Sequence, residues 1–129
     1  MKDVLGLNIG GVWRTAPVGE QPSLTLARWQ VMQLPHGERH LVGYALQNRE
    51  GRVSSAVATL DAASLRGVTA TGRVYALSGR PGHDSDAEYT WRAWARINAA
   101  HEWTDVTAEV WAAHLEACKR PDEGEGELR

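Results

Sequence analysis

A chain of 129 residues, 43% hydrophobic and 23% charged, has the composition of one globular domain. Its formal net charge of −2 includes a net −3 on the last eight residues, DEGEGELR, which leaves +1 on residues 1–121. That near-neutral body excludes a strongly basic nucleic-acid module and any strong attraction to an anionic membrane.

Residues 1–23 are punctuated by Gly6, Gly10, Gly11, Pro17, Gly19 and Pro22 and read as an irregular arm with at most one short strand, Val4 to Ile9. From Leu24 the run LTLARWQVMQL has the β-branched and aromatic content of a strand, although both of its alternating phases mix polar and apolar residues. Pro35-His36-Gly37 marks a turn. RHLVGYALQ and RVSSAVATL read as two strands joined through NREG, a hairpin signal. Asp61 to Leu65 is a turn, and VTATGRVYAL supplies a fourth strand with a bulge expected at Gly72.

After Gly79 the period changes from two to 3.6. Ser85 and Glu88 fit a capping box that starts a helix. Ala87, Trp91, Trp94, Asn98 and His101 share one face of it, and Glu88, Arg92 and Arg96 line another at i, i+4 spacing. A second helix carries Val106, Val110, Ala113, His114 and Ala117 on its buried stripe and is expected to stop at Pro121. The acidic, Gly-rich residues 121–129 are expected to be disordered. The fold class that follows is α+β: an antiparallel sheet of about four strands, then two C-terminal helices packed on one face, within a single domain at residues 24–120.

The single cysteine, Cys118, excludes an intramolecular disulfide and fits a reducing cytoplasm. The opening MKDVLGLNIGGVW lacks the unbroken apolar stretch of a signal peptide, and no run approaches the ~20 apolar residues of a membrane helix. A soluble, cytoplasmic protein is expected, with no membrane partner and no cofactor.

The stretch GRPGHDSD, residues 79–86, is the strongest chemical candidate. His83, Asp84 and Asp86 could form a catalytic acid–base group. As a metal site, His83 and Asp84 would need His36 or His40 to complete the set. The competing reading is structural, with Ser85 capping the helix while Asp84 and Asp86 favour the positive end of its dipole. The structural reading needs fewer partners and is preferred. A phosphate at the same loop would be repelled by the two aspartates. Cys118 reads as an ordinary helix residue, and His101 and His114 as core histidines.

A nucleic-acid platform would need Arg28, Arg39, Arg49, Arg52, Arg66 and Arg73 to interleave with Trp29, Tyr44 and Tyr75 on an open sheet. Those arginines fall near turns, where solvated charge normally sits, so nucleic acid is not the expected partner. A protein partner, or a second copy of the chain, suits the six Trp and three Tyr, which join apolar bodies to polar tips. It also suits the sheet face that two helices would leave bare, with Ala45, Ser54, Ala56 and Ala58 on a flat surface.

The motifs HLVGY, GRVSSAV and T-x-T-G-R-V-Y-x-L-x-G-x-P-G, spread over residues 39–91, resemble small proteins of bacteria and their prophages that carry no assigned activity. The resemblance implies an accessory or phage-linked setting and no site residues. The sequence thus points to a protein-binding module rather than an enzyme.

Overall fold

The computed structural model describes residues 16–128, with side chains to Lys119; the short strand expected at Val4 to Ile9 lies outside the described residues. The expected α+β class holds, with a mostly antiparallel sheet and two helices, but the sheet is larger. Its strands are β1 (Ser23–Gln33), β2 (Arg39–Ala45), β3 (Glu50–Val53), β4 (Val57–Asp61), β5 (Arg66–Thr69), β6 (Val74–Ser78) and β7 (Thr104–Asp105). Helix α1 (Ser85–Ile97) precedes β7, and α2 (Thr107–Leu128) follows it.

About four strands were expected because two runs that look continuous each break in the middle. In VTATGRVYAL the break is a tight turn: Gly72 has φ +97°, its N–H donates to Thr69 O at 2.8 Å, and β5 and β6 flank it. Gly72 is therefore a turn residue, where the left-handed region suits glycine, rather than a bulge. In RVSSAVATL the break is a kink at residues 54–56 between β3 and β4.

That kink decides the architecture. The hydrogen-bonded order is β3-β2-β1-β6-β5-β4, with β7 pairing the end of β1. Neighbours are antiparallel except β1 and β6, which run parallel. Carried round the path, those directions make β3 and β4 parallel in sense, and they are consecutive in the chain. They are two halves of one bent strand. Ser54 N–H extends the ladder to Leu41 O, and Ala70 N–H donates to Ala56 O, both at 2.8 Å. The two ends of the path are thus joined covalently, and the sheet curls on itself into a small barrel. A methyl built on Gly67 of β5 would come within 3.1 Å of Leu41 Cδ1 on β2, because these strands face each other across the interior.

The interior is filled by Leu24, Leu26, Trp29 and Val31 of β1 with Leu41, Ala45, Leu65, Tyr75 and Leu77. Burying each of the larger ones stabilises the fold by roughly 1.5–3 kcal/mol. Even positions of β1 point inward up to Leu26 and odd ones from Trp29. The register shifts between Ala27 and Gln30, where Arg28 adopts φ +49°. This bulge is what mixes the two phases of LTLARWQVMQL.

The helices do not share one face. α1 packs outside the barrel, against β2 and β3, where Ala87 and Trp91 meet Met32, Leu34 and Val42. α2 caps the end of the barrel. Val106 N–H donates to Val31 O at 2.9 Å, and Val106 and Val110 join the interior core. His114, farther along, bonds Ala62 O at 2.7 Å through Nδ1, so α2 reaches from β1 to the turn between β4 and β5. It runs past Pro121, the expected stop, to Leu128. Proline removes one N–H bond, but its φ of about −65° is itself compatible with a helix.

Of the residues read as an open small-residue surface, Ala45 and Ser54 are buried, Ala56 is half-buried and Ala58 is exposed, so the four do not form one bare face. Among the described residues no helix is long and apolar enough to cross a membrane.

Candidate functional site

The loop at residues 79–84 is stitched to the bulge of β1. Gly82 N–H donates to Trp29 O at 3.1 Å, and Trp29 Nε1–H donates to Gly79 O at 3.0 Å. Asp84 holds the Arg28 guanidinium with one carboxylate oxygen, at 3.0 and 3.2 Å, and accepts Ala87 N–H with the other at 3.0 Å. Arg28 also lies 4.9 Å over the Tyr44 ring. Asp84, not Ser85, is therefore the N-cap of α1. Its extended backbone and short carboxylate suit the position, and Ser85 becomes the first helical residue.

The structure separates the sequence-predicted site residues. His83 Nε2 meets Glu88 Oε1 at 2.5 Å, and Glu88 Oε2 accepts from Arg92 Nε at 3.2 Å. The His83 hydrogen bond, aided by Arg92, holds the Glu88 carboxyl below its ordinary value. Asp86 is exposed. Neither His36 nor His40 joins this group, and among the described residues no three His, Cys, Asp or Glu side chains are gathered to hold a metal ion. Glu88, expected in a capping box and in the i, i+4 row with Arg92 and Arg96, pairs with Arg92 as that row requires and with His83 besides. Helix geometry places it over the loop that precedes α1, and that relation was the available signal for its pairing with His83.

A second cluster forms around Glu38, a residue the sequence reading passed over. Its Oε2 lies 2.6 Å from His40 Nε2, and its Oε1 lies 3.4 Å from His36 Nε2. The His40 hydrogen bond is the main cause that holds the Glu38 carboxyl below its ordinary value, with His36 adding to it and partial burial opposing. His40 is buried, and its Nδ1 faces Ser54 O at 2.8 Å. Both of its nitrogens thus face oxygen atoms. The ring lies 4.4 Å from Trp94, which stacks on Trp91 at 5.2 Å, while Trp103 meets Trp91 edge-on at 5.3 Å. His36 and Glu38 belong to the β1–β2 turn and only His40 to β2, so the turn brings the three together and strand period gives no signal for it.

His36, 66% exposed at its side chain, stands at the edge of a cleft of about 370 Å³. The cleft opens between the β1–β2 turn, with Leu34 and Pro35, and the end of α1, with Asn98, Ala99 and Ala100. His101 and Glu102 complete its polar rim; His101, expected on a buried helix face, lies beyond the helix and is exposed. Ala99 holds φ +55° there. Its N–H donates to Arg96 O at 3.3 Å and that of Ala100 to Ala95 O at 2.8 Å, a helix ending that usually employs glycine.

The proposed arginine platform does not assemble. Trp29 and Tyr75 are in the core, and Arg52 and Arg73 are buried rather than solvated. Cys118 is exposed, with its sulfur 3.7 Å from both nitrogens of His114. Comparison with known proteins finds no family model, no curated protein and no solved structure that matches this chain.

Proposed function

We propose that the protein is a binding module that takes a short segment of a partner protein into the cleft between the β1–β2 turn and the end of α1. The observation that carries this reading is the make-up of the cleft. Leu34, Pro35, Ala99 and Ala100 offer an apolar floor, and His36, Asn98, His101 and Glu102 offer a polar rim. Ile97, 45% exposed, extends the apolar surface beside it. A few apolar contacts inside a ring of hydrogen-bonding groups is the pattern of a recognition site. An accessory role of the kind the prophage-like motifs imply belongs to the same reading.

The test is a photo-crosslinking residue at Asn98 in the cells that make the protein. One discrete adduct, absent from a crosslinker at exposed Arg66 and removed by Ala100→Arg, is expected. Adducts that form equally from Arg66, or that survive Ala100→Arg, would sink the proposal.

The carboxylate shared by two imidazoles favours a second reading. Glu38 orients His36 at the cleft edge as a base is oriented in acid–base catalysis. Its signature is a turnover that His36→Gln and Glu38→Gln both lower while His83→Gln leaves it unchanged.

A further inference from the structure

Two arginines stand inside the barrel at the end opposite the α2 cap. Arg52 lies on the inward phase of β3, across from Gly43, and is 4% exposed. Arg73 precedes β6 on the inward phase of Tyr75 and Leu77 and is 5% exposed. β2 and β5 run in the same direction, so the turns that end them share this end of the barrel.

A guanidinium does not lose its charge, so burial is strongly unfavourable unless acceptors surround it. Here they do not. Arg52 Nη1 and Nη2 are fully buried and make no hydrogen bond; their ionic partner, Glu50, stands 3.9 Å away. Arg73 donates through Nη2 to the Ala16 carbonyl, and its buried Nε makes no hydrogen bond. Among the described residues, the two positive charges thus face one carboxylate and one neutral carbonyl. Gln21, whose Nε2 donates to Asn48 Oδ1 at 2.8 Å in the β2–β3 turn, adds a buried Oε1 that accepts nothing. Among the described residues five buried side-chain polar atoms lack a hydrogen bond, and all but Trp91 Nε1 lie at this one end. Arg52 and Arg73 are the buried arginines among the described residues. The charge is therefore concentrated where it has donors to spare.

We infer that this end of the barrel binds a small molecule through an oxyanion group, a phosphate or a carboxylate, held by Arg52 and Arg73. The planar fork of a guanidinium matches two oxygens of either group. The site is separate from the α1 cleft and does not depend on its role.

The experiment follows the arginine Nε–H signals of the full chain by NMR while inorganic phosphate, and separately acetate, replaces chloride at constant ionic strength. The Arg52 and Arg73 signals are expected to move and saturate while exposed Arg66 stays in place. Saturation by phosphate alone assigns a phosphate group; saturation by acetate as well assigns the site to carboxylates too. Arg52→Lys is expected to weaken phosphate binding about tenfold or more, because an ammonium cannot form the fork. Arg66→Lys is expected to leave it unchanged. If the wild-type Arg52 and Arg73 signals stay still with both anions, or drift without saturation together with Arg66, the inference is wrong.

Discussion

Gly51 of β3 lies directly against the backbone of Asp86 in the first turn of α1. A methyl built on Gly51 would stand 2.4 Å from the Asp86 carbonyl carbon and oxygen. Neither backbone can yield without moving the helix off the sheet. Gly51→Ala is expected to destabilise the protein by about 3 kcal/mol, the upper end for an overpacked site. Gly19→Ala, where nothing lies within 4 Å, is expected to stay within about 0.5 kcal/mol. Urea unfolding of the two variants checks the contrast, and similar midpoints would refute it.

The start of α1 offers a second contrast. Asp84 caps the helix and also holds Arg28, whereas Ser85 is its first residue. Asp84→Ala should cost about 1–2 kcal/mol, while Ser85→Ala should change stability by less than about 0.5 kcal/mol. The reverse order in thermal or urea unfolding would restore the capping-box reading of the sequence.

Ala99 occupies the left-handed region at the end of α1, with φ +55°. Glycine adopts that conformation without a Cβ clash. Ala99→Gly is accordingly expected to stabilise the protein by about 0.5–1 kcal/mol. A lower urea midpoint for the variant would mean that the Ala99 methyl contributes more through packing at the cleft than its backbone costs.

Glu38 predicts a pH dependence. Hydrogen bonding to His40, with a smaller contribution from His36, holds the folded carboxyl below its ordinary value of 4.5. A depressed acid contributes stability that is fully present above the unfolded value. That contribution is lost as pH falls through the folded one. Stability should therefore drop as pH falls below 4.5, and Glu38→Gln should flatten part of that drop. Urea midpoints measured down the pH series test it; parallel curves for wild type and variant would remove Glu38 from the account.

Much of the secondary structure follows from local chemistry. The change of period after Gly79 marks α1, and Trp91 and Ala87 face inward as that period requires. The tight Gly72 turn and the β1 bulge at Arg28 also leave traces, a lone glycine and a broken alternation, but a trace does not say which way the chain turns. Of the candidate sites, the loop at residues 79–86 was legible as a helix start. Its capping residue was misplaced by one because Asp84 and Ser85 are equally good caps, and only the backbone angle at Asp84 selects between them.

The sequence by itself determined the elements whose energetics are local: the period-3.6 face of α1, the turns at glycine and proline, and the α+β class. Tertiary structure alone decided that β3 and β4 are one bent strand, which closes the sheet. Pairing directions between distant segments are not encoded in the alternation of either partner. Closure then turned positions that looked like solvated strand starts, Arg52 and Arg73, to the inside. A period of two says that a side chain lies on one face or the other, but only the curvature of the closed sheet says which face is the core.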